Sequence, residues 1–318
     1  MNKLITIIFL FIIVALGSIL WWKNGVSPAD FNNKKSVIFV VQKGSGLKEI
    51  SGNLAKAGLI KDRIVFFLYT RFGRYEGKIQ AGDFRLNPSM NVDEIAQNLT
   101  HGTLDVWIAI PEGQRATEIA ETLKEGIPTY NSSWPLILTQ NEGYLFPDTY
   151  LISKDTSIEI IVKQLRETFE QKYSEVNTSN SKLSKSQIVI LASLIEREAI
   201  TDAEKPIIAG ILMNRLNIGM ALQVDATIQY VKGYNPVTKT WWQFVTIYDY
   251  ENVVSPYNTY LQPGLPPGPI SNPGIEALKA AANPASTNYF YYLHDKKGQI
   301  RYAKTLEEHN ANIQKYGL

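Results

Sequence analysis

The chain has 318 residues, 45% of them hydrophobic, enough for one large or two medium domains with their own cores. Its 32 Lys and Arg nearly balance 30 Asp and Glu, and no basic patch stands out, which argues against a nucleic-acid-binding protein. The absence of cysteine excludes disulfides, thiolate metal ligands and a Cys nucleophile. Three scattered histidines do not suggest a zinc site, so no metal or organic cofactor is indicated.

The first predicted element is the uncharged run LITIIFLFIIVALGSILWW. As a helix its 19 residues span roughly 28 Å, close to the hydrocarbon thickness of a bilayer. Trp21 and Trp22 fall where interfacial aromatic residues lie. A cleaved signal peptide is the alternative, but its apolar region is usually only about 7 to 15 residues long. We therefore predict an uncleaved transmembrane anchor over residues 1–23 and a linker over residues 24–36. Lysines flank both ends of the run and leave its orientation open.

Three segments further along resemble one another, because each has a strand-like run and then a short helix that ends near a glycine. In each helix an Ile and a Leu four residues apart form an apolar pair. Wall-binding LysM modules are built from similar units, although the pattern alone favours an ordinary small α+β domain. Residues 62–77 predict a further helix packed across these units. The three segments are GSGLKEISGNLAKAG (44–58), SMNVDEIAQNLTHG (89–102) and GQRATEIAETLKEG (113–126).

The stretch ILASLIEREA, residues 190–199, predicts a buried helix that starts near Ser184 or Ser186 and ends in two glutamates. Glu196 and Glu198 lie about 200° apart around such a helix, so they cannot act as a pair on one face. No Lys or Arg stands three or four residues from Glu196. The sequence therefore predicts an apolar setting without a cation, which would raise the pKa of Glu196. By itself this pattern also fits a surface charge at the point where the helix emerges.

The stretch SPYNTYLQPGLPPGPISNPG, residues 255–274, contains six prolines and no charged residue. Its tyrosines and amides suit the polar edges and flat faces of a sugar. We predict an ordered loop that lines a substrate site, with a purely structural turn region as the alternative. Beyond it, YFYYLH, DKKGQ and IRYAK predict a β-hairpin, and Thr305 begins a capping box of a terminal helix.

Six motifs occur in a fixed order: EGYLFPDTY, LASLIEREA, NRLNIGMALQVDATIQY, SPYNTY, GLPPGPISNPG and TLEEHN. Together they resemble the endolytic murein transglycosylase family, the YceG-like proteins of bacteria, from about residue 37 to the end. The resemblance implies a single-pass inner-membrane protein whose catalytic part is periplasmic. It implies an α+β fold with a LysM-like subdomain over residues 37–105 and a catalytic transglycosylase domain over residues 106–318. The implied activity is cleavage of the β-1,4 bond between N-acetylmuramic acid and N-acetylglucosamine within glycan strands.

The resemblance assigns the catalytic acid to Glu196 and leaves Glu198 a structural or supporting role. One acid suffices if the 6-hydroxyl of the muramic acid is the nucleophile, and the product then ends in a 1,6-anhydro sugar. Partners implied are peptidoglycan strands, the membrane and peptidoglycan synthases of the wall-synthesis machinery. Seven polar residues are predicted to line the sugar cleft: Glu142, Gln223, Asp225, Thr227, Tyr257, Asn258 and Thr259.

Two alternatives stay open. A muramidase would hydrolyse the same bond with water and would need a second carboxylate, for which Asp225 and Glu142 are candidates. A non-catalytic wall-binding scaffold would use the repeated units to hold glycan and would tolerate loss of Glu196.

Overall fold

The computed structural model describes residues 2–73, 75, 77–100 and 105–316. Helices and strands mix along the whole described chain, in agreement with the predicted α+β class. The chain divides into two compact units. Unit 1 comprises Met1–Trp107 and Leu151–Asp155, and unit 2 comprises Ile108–Tyr150 and Thr156–Leu318.

Unit 1 contains the apolar helix and a strand–helix–helix–strand arrangement. Its two strands pair antiparallel, with Val37 opposite Leu86. Phe39 and Val41 alternate with exposed residues along the first strand, so one face of the sheet joins the buried core and the other faces solvent. The elements are α1 (Asn2–Val26), β1 (Val37–Val41), α2 (Leu47–Lys56), α3 (Arg63–Phe72), β2 (Gly82–Leu86) and α4 (Val92–Thr100).

Among the described residues one helix, α1, is long and apolar enough to cross a membrane, over Ile7–Val26. It continues past Lys23, where the predicted anchor ends, and its last turn packs on α3. The ring of Trp22 lies 6.3 Å from that of Tyr69, and the indole N–H of Trp21 donates to Asp62 at 2.8 Å. By length and composition α1 fits a single-pass membrane anchor.

Unit 2 is built around α8, in which every residue from 188 to 195 is buried. Helices α9 and α12 pack against it. The strands β3 and β4 pair with each other, and the division between the units falls within both. The elements are β3 (Asp105–Ala109), α5 (Ala116–Gly126), α6 (Trp134–Thr139), β4 (Thr149–Ser153), α7 (Ile158–Tyr173), α8 (Lys185–Glu198), α9 (Lys205–Asn217), α10 (Asp225–Lys232), α11 (Ile247–Asn252), α12 (Ile275–Ala282), β5 (Tyr291–His294), β6 (Ile300–Ala303) and α13 (Leu306–Tyr316).

The three repeated segments do form strand-then-helix units, with β1, β2 and β3 preceding α2, α4 and α5. The end of the second segment, residues 101 and 102, lies outside the described residues. The predicted helix within residues 62–77 is α3. The predicted hairpin is also present, because β5 and β6 pair antiparallel with Tyr291 opposite Ala303.

Helix α8 begins and ends where local chemistry directs it. The Ser184 hydroxyl accepts from the Gln187 backbone at 3.3 Å, and the Gln187 side chain accepts from the Ser184 backbone at 2.9 Å. This reciprocal capping box stabilises the first turn. At the other end Ala199 is extended, so the helix stops at Glu198.

The proline-rich loop is fastened to α8. The Ile270 backbone donates to the Ser193 hydroxyl at 3.1 Å, and the Ser271 hydroxyl donates to the Ser193 carbonyl at 3.2 Å. The Asn272 side chain accepts from Leu145 N and is itself fully buried. The second half of the loop therefore has the structural role that the sequence left as an alternative.

Candidate active site

A polar cavity of about 640 Å³ opens at the C-terminal end of α8. Its wall combines carboxylates, guanidinium groups, amides and tyrosine rings from several elements of unit 2. This mixture of flat apolar faces and hydrogen-bonding edges is suited to a polar ligand such as a sugar. The residues that matter most below are Arg197, Glu198, Gln223, Asp225, Tyr260 and Tyr292.

Glu198 brings a carboxyl group into this cavity from the last position of α8. The Tyr292 hydroxyl of β5 donates to it at 2.7 Å. Burial raises the pKa of Glu198, the hydrogen bond from Tyr292 opposes this, and the nearby Asp225 charge adds to it. No cationic side chain of the described residues lies within 4.0 Å of its oxygens. Its burial and the nearby Asp225 charge thus favour the protonated form of Glu198, the form that a general acid needs.

Asp225 supplies a second carboxylate in the same cavity, at the first position of α10. Its Oδ1 accepts a hydrogen bond from the Tyr260 hydroxyl. The Tyr260 ring stacks on Tyr250, with ring centroids 4.0 Å apart and planes 11° apart. This stacking fixes the tyrosine that holds Asp225.

Gln223 lines the cavity from a strained backbone position. Its φ of 50° lies in the left-handed region, which side chains other than glycine rarely adopt. The Gln223 backbone N–H donates to the Thr259 carbonyl at 3.1 Å, which holds the strained position in place. Such strain persists only where surrounding contacts enforce it, and it is concentrated at functional sites.

Glu196 faces away from the cavity, as the angle around the helix predicted. Lys205 Nζ lies 3.0 Å from its carboxylate, and both side chains are buried, 5% exposed for Lys205 and 7% for Glu196. The Gly274 backbone donates to the other oxygen at 3.0 Å. The predicted setting without a cation is therefore wrong for Glu196. The cation comes from the start of the next helix, nine residues on, outside the range of contacts within one helix.

Glu142 is buried against the start of α5, whose first residue, Ala116, donates its backbone N–H to the carboxylate at 2.9 Å. Asn272 Nδ2 donates at 2.9 Å and the Tyr230 hydroxyl at 3.4 Å. Burial raises the pKa of Glu142 to about 7, against the lowering effect of the Ala116 hydrogen bond and of the Arg115 charge. Glu142 is not among the residues that line the cavity. Through these hydrogen bonds Glu142 connects its own segment to α5, to α10 and to the proline-rich loop.

Three other predicted cleft residues lie beneath the cavity surface instead of on it. Thr227, Asn258 and Thr259 are 0%, 0% and 1% exposed. The Thr259 hydroxyl accepts from Val224 N at 3.0 Å and lies 3.0 Å from the Thr227 hydroxyl, while Asn258 donates to backbone carbonyls. They shape the loop that carries Tyr260, since buried polar groups need such partners. Tyr257 is partly buried against the Tyr230 ring, 5.1 Å away, and packs on the core.

Sequence reasoning missed Tyr260, Tyr292 and Lys205. Tyr260 closes the motif SPYNTY, whose preceding Tyr, Asn and Thr were chosen in its place. Tyr292 belongs to the aromatic run of the predicted hairpin and carried no sign of its contact with Glu198, 94 residues away. Among the described residues no group of three or more His, Asp or Glu is arranged to hold a metal ion.

The fold and the cavity together indicate an α+β protein with carboxylic acids in a polar cleft and with an apolar helix that fits a membrane anchor. The YceG-like family pattern matches residues 39–315, and the chain belongs to this family.

Relatives support this membership over most of the chain. A Bacillus subtilis protein named endolytic murein transglycosylase is 32% identical, and the alignment covers 94% of this chain and 90% of that protein. Proteins of the same name from two Streptococcus pneumoniae strains are 29% identical, and the alignment covers about 60% of their length. A crystal structure of a YceG-like protein from Listeria monocytogenes is 30% identical, with a TM-score of 0.56, and covers 87% of this chain and 99% of its own.

Proposed function

We propose that the protein is an endolytic peptidoglycan lytic transglycosylase. It cleaves the β-1,4 bond between N-acetylmuramic acid and N-acetylglucosamine within glycan strands. The observation that carries the proposal is the Glu198 carboxyl group, held in a polar cavity with a raised pKa and no ion pair, in a chain whose relatives bear the name endolytic murein transglycosylase.

Glu198 serves as the catalytic acid and then as the base. Its proton passes to the glycosidic oxygen as the bond from C1 of the muramic acid to that oxygen breaks. The 6-hydroxyl oxygen of the same muramic acid then bonds to C1, and its proton passes to the Glu198 carboxylate. The enzyme regains its starting protonation state and the strand ends in 1,6-anhydromuramic acid. No water is consumed, so one carboxyl group performs both proton transfers.

This role for Glu198 replaces the sequence-based assignment to Glu196. Glu196 is buried, paired with Lys205 and bonded to the Gly274 backbone. Both of its carboxylate oxygens are thus engaged by groups of the protein, and neither faces the cavity. Glu196 instead ties the end of α8 to the starts of α9 and α12, and so positions Glu198.

The contrast between the two glutamates supplies the test. Glu198→Gln in the full chain in detergent should lower the rate of strand cleavage by at least about 100-fold, the usual contribution of general acid–base catalysis. Glu196→Gln, which keeps a hydrogen-bonding side chain beside Lys205 and Gly274, should lower the rate far less, because Glu196 acts only through the position of Glu198. Products are identified by mass spectrometry from purified peptidoglycan. Full activity of Glu198→Gln together with an inactive, folded Glu196→Gln would restore the sequence-based assignment.

A muramidase is the second candidate, because Asp225 shares the cavity with Glu198 and could activate water. The two reactions leave different ends. The transglycosylase leaves 1,6-anhydromuramic acid, whereas hydrolysis leaves a reducing end that is 18 mass units heavier, about the mass of one water. Reducing ends that disappear in Asp225→Asn would establish hydrolysis.

The remaining parts of the chain fit a wall enzyme held at a membrane. We infer that residues 1–23 anchor the protein in the bacterial inner membrane, with the catalytic domain, residues 106–318, on the periplasmic side. The contacts of Trp21 with Asp62 and of Trp22 with Tyr69 support retention of the anchor, since cleavage of a signal peptide would remove them. Residues 37–105 form a LysM-like glycan-binding subdomain, supported by the order β1–α2–α3–β2 with paired outer strands. Peptidoglycan synthases are the proposed protein partners.

A further inference from the structure

Arg197 is a cavity-lining cation whose hydrogen-bonding capacity is largely unused. Its Nε is buried and finds no partner among the described residues. Its Nη1 reaches the Gly113 carbonyl only at 3.4 Å. No described carboxylate lies within 4.0 Å of the guanidinium group. Leaving such a donor unpaired costs stability, and the guanidinium group of a cavity-lining arginine can donate to a ligand that enters the cavity.

The guanidinium group of Arg197 is held by an aromatic ring. It lies over the Trp242 ring, 3.8 Å from the centroid, a cation–π contact that keeps the charge without using its N–H groups. The Trp242 indole is fixed in turn, because its N–H donates to Glu118 at 3.0 Å. Arg197 is therefore oriented in advance of ligand binding.

The second arginine of the cavity differs in this respect. Arg215 donates from Nε to the Phe290 carbonyl at 2.7 Å and from Nη1 to the Leu222 carbonyl. Its donors hold the backbone of unit 2 together. Arg197 is the arginine whose donors are available to something in the cavity.

We propose that Arg197 binds a carboxylate of the glycan substrate and so gives the enzyme a preference for anionic strands. This inference rests on the proposed function. A guanidinium group presents N–H donors in a planar fork that matches a carboxylate. The sugar backbone of peptidoglycan has few other charges. The carboxylate belongs either to a stem peptide or to the lactyl group of a muramic acid that has lost its peptide.

The test compares full-length protein in detergent on three substrates: strands with intact stem peptides, the same strands with all carboxyl groups amidated, and strands stripped of their peptides. We expect the wild type to cleave an anionic substrate about tenfold better, by kcat/KM, than the amidated one. Tenfold corresponds to about 1.4 kcal/mol of transition-state binding. Arg197→Gln should lose this factor, so that its kcat/KM is the same on anionic and on amidated strands.

The control variant is Arg166→Gln. Arg166 also lies over a tyrosine ring in unit 2, 5.7 Å from the Tyr144 centroid, but it is outside the cavity. The variant Arg166→Gln should leave the preference for anionic strands unchanged. Arg197→Lys keeps the charge without the fork and should retain part of the preference, which protects the test if Arg197→Gln folds poorly.

The outcomes separate the inference from the proposed function. An Arg197 effect on intact strands identifies the stem peptide as the source of the carboxylate, and an effect confined to stripped strands identifies the lactyl group. Equal cleavage of all substrates by the wild type, or an equal loss by Arg197→Gln on charged and amidated strands, would overturn the inference while the enzyme remains a transglycosylase. Absence of cleavage by the wild type on every substrate would instead count against the proposed function.

Discussion

At the scale of single residues, the Glu196–Lys205 pair explains how one helix end can carry two glutamates with different roles. Both side chains are buried, and Lys205 is the cation that Glu196 pairs with, whereas Lys205 also pairs with Asp202 at 2.8 Å. Breaking such a pair by removal of one partner leaves an uncompensated buried charge and typically costs about 3 to 5 kcal/mol. The pair is thus a structural requirement for the cavity beside it.

Lys205→Met tests this dependence. We expect a loss of about 3 kcal/mol in the free energy of unfolding, because Glu196 would stay buried without its cation. The double variant Lys205→Met with Glu196→Gln should recover part of the loss. The control is Lys279→Met, which removes an exposed pair with Glu276 and should cost less than about 1 kcal/mol. Urea unfolding provides the measurement, and equal small losses in both Lys variants would contradict a structural role for the pair.

Glu142 gives a prediction about pH. Burial raises the pKa of Glu142 to about 7 in the folded state, from 4.5 for a glutamate in water. A carboxyl group with a raised folded pKa stabilises the fold when protonated, so its contribution is present below about pH 4.5 and is lost as the pH rises towards 7. Glu142→Gln cannot ionise. We expect the difference in the free energy of unfolding between Glu142→Gln and the wild type to shift in favour of the variant between pH 5 and pH 8.

Urea unfolding at a series of pH values measures this shift. Glu167→Gln on α7 is the matched control, because Glu167 is 67% exposed and should leave the pH dependence unchanged. A pH profile of Glu142→Gln that is parallel to that of the wild type would show that Glu142 does not titrate in this range.

At the scale of elements, α8 is the support of the site, and its N-cap contributes to its stability. Ser184→Ala removes the hydroxyl that accepts from Gln187 N. Loss of such a cap typically costs about 1 kcal/mol. Ser186→Ala, in the same turn but not at the cap, should cost less because alanine favours helix. Thermal unfolding of both variants checks the prediction, which fails if Ser186→Ala is the more damaging change.

The sequence predicted the elements whose signals are local. The cap of α8 involves Ser184 and Gln187, three residues apart, and the hairpin turn is closed by Gly298 within a few residues of both strands. Repeated Ile and Leu at helical spacing predicted α2, α4 and α5 for the same reason. Such signals depend on neighbours along the chain, which a sequence displays directly.

The site could be predicted only in part, because distant segments build it. Glu198 meets Tyr292 across 94 residues, and Asp225 meets Tyr260 across 35 residues. Lys205 could not be predicted as the partner of Glu196 from helical spacing, because Lys205 belongs to α9 and Glu196 to α8. The motifs selected the right segments, but which side chains face the cavity depends on packing that spacing does not encode.

At the scale of the whole molecule, the apolar helix α1 is the feature that fits a single-pass membrane anchor. From Ile7 to Leu20 most side chains of α1 are exposed, with Phe11 75% and Leu20 67% exposed, which in water would be unfavourable. Its last turn is different, because Gly25 packs against Val65 and a Cβ at that position would clash with it. Helix α1 thus exposes apolar side chains along its described length and packs against α3 at its C-terminal end.

This arrangement predicts that α1 is retained in the mature protein. Cells that express the full chain should yield a protein in the membrane fraction that resists an alkaline carbonate wash, because a 20-residue apolar span inserts stably. Its intact mass should include residues 1–23. The matched variant Trp22→Ala removes a ring contact with Tyr69 but no apolar length, so it should remain in the membrane while unit 1 becomes easier to unfold. A mature protein that begins after the apolar run and is released by the wash would identify α1 as a signal peptide, and the contacts of Trp21 and Trp22 with unit 1 would then be lost on cleavage.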